Sequence, residues 1–388
     1  MTDRLAARVE ARLRSLRDAG LLRTLRAPAG LDLSSNDYLD LANDPRVVAA
    51  FQRGAAQEGA GSTGSRLLRG HRDAFTDVER AFAAFKGAEA ALYFSSGYLA
   101  NLGVLTSLTE AGDVIVSDER NHASLIDAMR LSAATRVIVP HNDLAALEAA
   151  LSTARSAAAA EARIFVVVES VFSMDGDAAP LASQAALCAA FDATLIVDEA
   201  HAVGLFGRRG SGMIEAAGVD PNTISINSAG KALGVGGAFV AGPAWAIEYL
   251  VQRARTFVFS TAPPPAVTAA IAESLRIVAT EPDRRARVIA LARLARERLA
   301  AAGIDVPSGD SPIVPILIGD SHRAAAVAER LQARGFDIRA IRPPTVSEGS
   351  ARLRLSVNAR LEDAAIVEFV AALAALLEEV APWPAVTS

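Results

Sequence analysis

Between residues 90 and 242 the chain alternates short apolar runs with segments that carry the periodicity of amphipathic helices. The apolar runs have the length of buried strands; they are AALYF, DVIVSD, TRVIVP, RIFVVVES, TLIVD and TISINS. The segments between them place apolar residues three and four positions apart, as on one face of a helix. A repeated strand–helix order is typical of a mostly parallel sheet with right-handed crossovers and helices on its faces. The alternation therefore predicts an α/β protein.

The carboxyl ends of the predicted strands are where a ligand is expected. In open parallel sheets, ligands bind in the crevice beyond these ends. Asp198 ends one predicted strand, Ser173 follows another, and Lys231 lies in the glycine-rich loop after a third. These three residues are the first candidates for a functional site.

The composition changes around TAPPPAVTAA (261–270), where three prolines precede an Arg- and Ala-rich stretch. That stretch predicts one long helix over roughly residues 266–302. The segments beyond it alternate strand and helix, which indicates a smaller α/β domain. We therefore expect an N-terminal helix and arm over residues 1–45, a large domain over 46–265 and a small C-terminal domain over 266–388.

The composition argues against several classes of partner. A net charge of −5 and a sequence pI of about 5.7 give no basic surplus for nucleic acid. The longest apolar runs have strand length and the N-terminus is charged, so neither a membrane span nor a signal peptide is predicted. Cys188, the single cysteine, is expected to be a buried thiol in a reducing compartment. We expect a cytoplasmic protein.

Lysine is rare in this sequence. Of 39 basic residues only Lys86 and Lys231 are lysines, and the others are arginines. A lysine amine can form an imine, which an arginine cannot, so a retained lysine can have a chemical role. Lys86 is expected to lie near a helix end at the surface. Lys231 is surrounded by small residues in NSAGKALGVGG, which is unusual for a solubilising lysine.

The segment TLIVDEAHAVG (194–204) contains the Asp-Glu-Ala-His motif of nucleic-acid helicases. Such an ATPase also needs the phosphate-binding loop GxxxxGK[ST]. The only Gly-Lys pair ends at Lys231, which is followed by Ala232, and Ser225 stands where the first glycine is required. This pair also follows the motif instead of preceding it. The sequence therefore excludes the ATPase interpretation.

Asp198, His201 and Lys231 together match the requirements of pyridoxal phosphate. The cofactor needs a lysine amine, an acid at the pyridine nitrogen and a hydrogen-bond partner at the phenolic oxygen. Ser228 and the turn SSGY (95–98) before a helix would suit its phosphate. Each residue alone is a weak signal, since strand-end aspartates are often structural. No metal site is expected.

The remaining histidines are interpreted differently. A single histidine is more often a surface or core residue than a ligand. His71, His141 and His322 are therefore expected to have structural roles.

Several long blocks of the sequence resemble the α-oxoamine synthases. The blocks are SSNDYLDL, GSTGSRLLRG, FSSGYLAN, DERNHASLIDA, ESVFSMDGDAAPL, VDEAHAVGLFG, AGKALGVGG and RPPTVSEGSARLRLS. These enzymes join an amino acid to an acyl-CoA with loss of carbon dioxide. The resemblance covers nearly the whole chain. It implies a fold-type I transferase that depends on pyridoxal 5'-phosphate, and a homodimer with shared active sites.

The resemblance also implies residue roles. Lys231 is implied to form the Schiff base with the cofactor and later to act as a base at the substrate α-carbon. His122 is implied to stack on the cofactor ring, and with Lys231, Asp198 and His201 it forms the implied catalytic set. The residues implied to hold the cofactor are Gly97, Tyr98, His122, Ser173, Asp198, His201, Ser228 and Lys231. Those implied to contact the substrate are Arg23, His122, Thr345 and Arg354.

The C-terminal block carries two arginines that alternate along a predicted strand. Arg354 is implied to bind the amino-acid carboxylate as a bidentate partner. Arg352 is the alternative, and the strand alternation turns it to the other face.

The stretch RPPTVSEGSARLRLS (342–356) most resembles the branch of the family that condenses L-alanine with a pimeloyl thioester. Two alternatives stay open. One is a sister synthase that uses glycine or another acyl donor, and the other is a catalytically silent relative. The sequence leaves open whether the acyl group arrives on CoA or on a carrier protein.

Overall fold

The protein is described by a computed structural model that covers residues 3–157, 159 and 161–379. The expected domain ranges also include residues 1–2, 158, 160 and 380–388, which lie outside the described residues.

The helices follow the predicted periodicity, and several begin at a capping side chain. Asp3, Asp44, Ser96 and Asp320 each accept a hydrogen bond from a backbone N–H in the first turn of the helix that follows. In chain order the helices are α1 (Arg4–Asp18), α2 (Pro45–Glu58), α3 (Asp73–Lys86), α4 (Gly97–Leu108), α5 (Ala123–Leu131), α6 (Leu144–Ala157), α7 (Leu181–Ala190), α8 (Met213–Ala216), α9 (Ala244–Arg253), α10 (Arg255–Val258), α11 (Ala266–Thr280), α12 (Pro282–Ala301), α13 (Ser321–Ala333) and α14 (Asp363–Glu379).

Within the described residues, the strands form three separate sheets. In chain order they are β1 (Leu31–Asp32), β2 (Ala90–Phe94), β3 (Val114–Asp118), β4 (Thr135–Val139), β5 (Ile164–Glu169), β6 (Ala193–Asp198), β7 (Ile224–Ser228), β8 (Ala238–Gly242), β9 (Ile313–Gly319), β10 (Phe336–Asp337), β11 (Ala340–Ile341) and β12 (Ala351–Ser356). The largest sheet has seven strands in the order β2-β8-β7-β6-β5-β3-β4. Strands β3 to β7 pair in parallel, whereas β8 is antiparallel to both β2 and β7. The predicted α/β class with a mostly parallel sheet is confirmed.

The central strands are apolar on both faces because helices cover both faces of the sheet. Successive residues of β3, β5 and β6 belong alternately to two hydrophobic clusters. One cluster includes Ile115, Phe165, Val167 and Ile196, and the other includes Val116, Val166, Val168, Leu195 and Val197. Cys188 lies in the second cluster, where burial raises the pKa of its thiol to about 12, so the prediction of a buried thiol is confirmed.

The prediction of a single helix over residues 266–302 is wrong, because the helix is interrupted. Two helices, α11 and α12, replace it, and they meet at Glu281 and Pro282. Proline has no N–H and disfavours helical geometry in the residue before it. Glu281 accordingly has φ −120° and ψ 64°, which ends α11.

The described part of the chain divides into two compact units. The large unit comprises Asp37–Ser173 and Asp177–Ala286; the small unit comprises Met1–Asn36, Met174–Gly176 and Arg287–Ser388. These limits differ from the expected domain limits, because α11 packs against α2 and α3 and so groups with the large unit. The expected division into three ranges remains a prediction.

The small unit has its own sheets and core. Strands β11, β12 and β9 form an antiparallel sheet in that order, and β1 pairs in parallel with β10. The predicted strand FDIRAIRPPT is therefore two short strands. One cluster of buried side chains joins α12, α13 and α14 to this sheet. No helix in the described part of the chain combines the length and apolar character needed to cross a membrane.

Candidate functional site

The carboxyl ends of three neighbouring parallel strands in the large unit carry the central candidates. β5 ends at Glu169 and β6 at Asp198, and the two residues pair across these strands. β7, on the other side of β6, ends at Ser228, three residues before Lys231. Both acidic side chains are buried. The sheet thus presents two acids and a lysine at one end.

Lys231, His201 and Tyr38 form a hydrogen-bonded row. The Nζ atom of Lys231 lies 2.8 Å from Nε2 of His201, and Nδ1 of His201 lies 2.7 Å from the hydroxyl oxygen of Tyr38. When the lysine ammonium donates to Nε2, the neutral ring carries its proton on Nδ1 and donates it to Tyr38. His201 and Tyr38 are buried, and Lys231 is half-buried. The row therefore connects the amine to a second proton-bearing group.

A second network connects Asp198 to His122. Asn101 donates from Nδ2 to Oδ2 of Asp198 and to Oγ of Ser124, each at 2.8 Å. The Ser124 hydroxyl lies 2.7 Å from Nδ1 of His122. All members except His122 are buried. This network fixes the strand-end carboxylate and the imidazole relative to each other.

His122 precedes α5 and caps it, because its Nδ1 accepts a hydrogen bond from the backbone N–H of Ser124. The pKa of His122 lies below the usual histidine value mainly because the protein around the ring desolvates it; Asp198 opposes this shift and Lys231 adds to it. The ring is therefore neutral at pH 7, with its proton on Nε2. The residue still keeps access to solvent, so a ligand can reach it.

Glu169 was missed by the sequence reasoning. The backbone N–H groups of Ser173 and His122 favour its ionised form and lower its pKa. Burial, and then the charge of Asp198, raise the pKa of Glu169 to about 8, against an opposing effect of Lys231. The side chain is therefore neutral at pH 7 and can donate a hydrogen bond. Its position at the end of an all-apolar strand was the one available signal.

The turn before α4 provides backbone groups instead of side chains. Gly97 begins α4, and Ser96 caps it by accepting from the N–H of Leu99. The hydroxyl of Tyr98 donates to Asp127, so this side chain is engaged on α5. The predicted role of Tyr98 stays a prediction, for which its backbone N–H in the first turn of α4 is the candidate group.

Two further predicted residues lie around this group. Ser228 accepts a hydrogen bond from the N–H of Gly230 at 3.2 Å, within the loop that carries Lys231. Ser173 is buried in the turn after β5. His71 and His141 bond to other residues and do not belong to the group.

The Asp-Glu-Ala-His segment divides its side chains between two environments. Asp198 and His201 belong to the group described above. Glu199 instead forms a buried ion pair with Lys86 and accepts the N–H of Ile214 at 2.7 Å. Gly212 makes room for this pair, since a Cβ atom there would lie 2.1 Å from Glu199, and its φ of +124° suits glycine.

The expected surface position of Lys86 is wrong. Lys86 ends α3 as predicted, but its ammonium is buried between Glu199 and the carbonyl of Ser211, which lies 2.6 Å from Nζ. A buried ammonium is tolerated because Glu199 neutralises its charge and two of its three N–H donors have acceptors.

The remaining predicted residues lie in the small unit. Arg354, on β12, is buried and donates to the hydroxyl of Ser356 at 2.7 Å and to Oδ1 of Asn36 at 3.0 Å. Arg352 forms an ion pair with Asp175. The choice of Arg354 over Arg352 for a substrate carboxylate stays a prediction.

Arg23 and Thr345 meet in the small unit. Nη2 of Arg23 lies 3.1 Å from the hydroxyl of Thr345. Both residues line a cavity of about 510 Å³, together with Arg26, Arg339 and Arg342. Four arginines around one cavity favour an anionic ligand.

The group around Lys231 fits pyridoxal 5'-phosphate. Oε1 of Glu169 and Oδ1 of Asn101 are buried and have no hydrogen-bond partner among the described residues. Such atoms are rare unless a further polar group completes the network. Pyridoxal phosphate presents an aldehyde, a ring nitrogen and a phosphate. The group around Lys231 offers matching partners: a lysine amine, a strand-end carboxylate, two imidazoles and a helix N-terminus.

Comparison with known proteins gives the family. Residues 28–373 match the model of aminotransferase class I and II. The 8-amino-7-oxononanoate synthase of Anaeromyxobacter dehalogenans is 48% identical over 354 residues, which cover 91% of this chain and 87% of that protein. The chain therefore belongs to the aminotransferase class I and II family, and within it to the α-oxoamine synthases.

Solved structures share the fold. A serine palmitoyltransferase from S. paucimobilis with a bound PLP–myriocin aldimine has a TM-score of 0.88 at 29% identity, covering 97% of this chain and 99% of that chain. An 8-amino-7-oxononanoate synthase from Francisella tularensis has a TM-score of 0.77 at 28% identity, covering 90% and 98%. The fold alone therefore does not separate the members of the family.

Proposed function

We propose that the protein is an 8-amino-7-oxononanoate synthase, which condenses L-alanine with a pimeloyl thioester in biotin biosynthesis and releases carbon dioxide and the free thiol. The observation that carries this proposal is the 48% identity to a relative of that name over 91% of the chain. The group formed by Lys231, His201 and Asp198 supports it, because a catalytically silent relative would have no need to keep all three.

The cofactor is pyridoxal 5'-phosphate. When bound, it supplies an aldehyde for attachment of an amine and a ring that accepts the electron pair released at the α-carbon. Lys231 is the proposed attachment point. Asp198 would hold the ring nitrogen protonated, and His201 would bond to the phenolic oxygen. His122 would stack on the ring.

The phosphate would be held by backbone and hydroxyl groups. The first N–H groups of α4, at Gly97 and Tyr98, can bind an anion at the positive end of the helix. Ser228 would add its hydroxyl, and Ser173 would approach the ring. None of these contacts needs a charged side chain.

Proton movement is proposed to centre on Lys231. Its Nζ atom would take the proton from the α-carbon of the bound amino acid. His201, 2.8 Å away, can accept or return a proton through Nε2 while Tyr38 holds Nδ1. Glu169, neutral at pH 7, can donate a hydrogen bond to a substrate oxygen that gains charge.

The substrates are proposed to use the arginines of the small unit. Arg354 would bind the carboxylate of alanine through its fork. Arg23 and Thr345 would contact the acyl substrate, whose distal carboxylate suits a cavity rich in arginine. We further propose that the protein is a cytoplasmic homodimer with shared active sites.

The test is a product assay on the protein reconstituted with pyridoxal phosphate. L-alanine with pimeloyl-CoA should give 8-amino-7-oxononanoate and carbon dioxide, and pimeloyl-carrier protein should be compared as donor. Lys231→Ala should give no product and should lack the absorbance band of the lysine-linked cofactor. Turnover of glycine with acetyl-CoA in place of alanine would reassign the protein to a sister synthase such as glycine C-acetyltransferase. Normal turnover by Lys231→Ala would contradict the proposed mechanism.

A further inference from the structure

His141 lies between two carboxylates on different loops. Its Nδ1 is 3.0 Å from Oδ1 of Asp118, at the end of β3, and its Nε2 is 2.7 Å from Oδ2 of Asp177. The ring of Phe172 packs edge-on against it at 4.4 Å between centroids. The side chain is only 12% exposed. The contact is therefore built from three segments and shielded from water.

The two hydrogen bonds require a charged ring. A neutral imidazole has one N–H, whereas two carboxylate acceptors need two. Burial favours the neutral ring, but the hydrogen bonds and charges of Asp118 and Asp177 outweigh it and raise the pKa of His141 to about 9. A third carboxylate, that of Glu119, accepts the backbone N–H of His141 at 3.3 Å. His141 is thus an imidazolium among acids at neutral pH.

Asp118 fixes the turn that leads to His122. Besides His141, its carboxylate accepts the N–H of Arg120 at 2.8 Å and that of Asn142 at 2.8 Å. Arg120 lies two residues before His122, so the carboxylate of Asp118 fixes the start of this turn. The position of the His122 imidazole, which caps α5, depends on that turn.

Asp177 fixes the turn that carries Ser173. Its carbonyl accepts the N–H of Phe172 at 2.9 Å, and its carboxylate accepts from Nδ2 of Asn142 at 3.0 Å. Val171 and Ala178 form a β-bridge across the base of the same turn. Because Ser173 directly follows Phe172, the hydrogen bond between Phe172 and Asp177 also fixes the position of Ser173.

We infer that His141 is a positioning residue: its imidazolium joins the turn of His122 to the turn of Ser173 and keeps both in the geometry that binds pyridoxal phosphate. The inference rests on the proposed cofactor site. When His141 loses its proton, one of the two hydrogen bonds is lost, and Asp118 and Asp177 lose the positive charge that lies between them. Cofactor affinity should therefore fall as pH rises through about 9.

The first test measures the ionisation of His141 without the cofactor reaction. NMR of protein labelled in the histidine rings should show one histidine with an apparent pKa near 9, which disappears in His141→Gln. In Asp177→Asn the same titration should move to lower pH, because one carboxylate partner is gone. Titration of every histidine below pH 7.5 would overturn the inference.

The second test measures equilibrium binding of pyridoxal phosphate to the apoprotein by absorbance from pH 7 to pH 10. At pH 7, His141→Gln should bind about tenfold more weakly than wild type, as when an orienting partner of a ligand is removed. The difference should shrink towards pH 10, where the wild-type ring is also neutral. His71→Gln is the matched control, since His71 lies in the large unit and accepts a hydrogen bond from Arg66 that glutamine can also accept. It should follow wild type at every pH.

The outcomes separate the inference from the proposed function. Equal affinity of His141→Gln and wild type, or a difference that stays constant with pH, overturns the positioning role. If wild type binds no pyridoxal phosphate at any pH, the proposed function fails and the inference falls with it. If His141→Gln does not fold, Asp177→Asn decides: weaker binding that is again most evident at pH 7 supports the inference, and unchanged binding overturns it.

Discussion

Replacement of Lys86 by methionine should strongly destabilise the protein. The side chains of Lys86 and Glu199 are 1% and 0% exposed. Methionine nearly matches lysine in volume, so packing changes little, but the carboxylate of Glu199 loses its counter-ion inside the protein. Removing one partner of a buried ion pair typically costs about 3–5 kcal/mol, because a buried charge remains uncompensated. We expect the free energy of unfolding to fall by that amount.

The double variant Lys86→Met/Glu199→Gln separates the buried charge from the loss of packing. Glutamine keeps an oxygen acceptor for the N–H of Ile214 and removes the charge. The double variant should therefore be more stable than Lys86→Met alone. Its free energy of unfolding should exceed that of Lys86→Met by about 1–3 kcal/mol, which is the usual desolvation penalty of an unsatisfied buried group.

Urea unfolding at fixed protein and cofactor concentration is the assay. Arg80→Met is the matched control, because Arg80 lies on the same helix and pairs with Asp77 while both side chains are more than two-thirds exposed. The Arg80→Met substitution should change the free energy of unfolding by no more than about 0.5 kcal/mol. A loss below about 1 kcal/mol for Lys86→Met would refute the argument from buried charge.

Three further predictions concern the large unit. Asp198→Asn should fold and bind the cofactor but lower kcat by about 10²-fold or more in a steady-state assay, because the ring nitrogen is no longer held protonated; a kcat near wild type would remove Asp198 from the site. The carboxyl of Glu169, whose pKa is raised, is protonated below about pH 8 and ionised above it, so the wild-type kcat/KM should fall as pH rises through about 8. Glu169→Gln should lack that decrease, and an unchanged pH profile would show that another group titrates. Tyr38→Phe removes the 2.7 Å hydrogen bond to His201 and should reduce the free energy of unfolding by about 1 kcal/mol, measured by urea denaturation; no change would mean that water or another group replaces the hydroxyl.

The sequence predicted the parallel strands of the fold well, because buried strands and amphipathic helices have distinct periods. It did not predict that β8 runs antiparallel between β2 and β7, since the apolar pattern of a strand contains no information about its direction. The break at Pro282 was visible in the sequence but outweighed by the helical composition around it. Local chemistry therefore indicated the elements, and tertiary packing decided their arrangement.

The predicted members of the site share a signal that the missed ones lack. Asp198 and Lys231 stand out because they follow apolar strands and are chemically unusual for their surroundings. Tyr38 and Asn101 resemble ordinary loop and helix residues, and their roles depend on partners 163 and 97 residues away. Lys86 was misplaced for the same reason, since its partner Glu199 is 113 residues later in the chain.

The pairing of β1 with β10 has a consequence for synthesis of the chain. The N–H of Ala29 bonds to the carboxylate of Asp337, 308 residues later, and Leu31 pairs with Phe336. A ribosome that adds about 5–20 residues per second needs at least about 15 s to reach that partner. During this interval the first strand has no place to dock, while the residues of the large unit are already complete. A nascent chain stalled before residue 336 should therefore leave its N-terminal arm accessible to protease or chaperone, and completion of β10 should protect it.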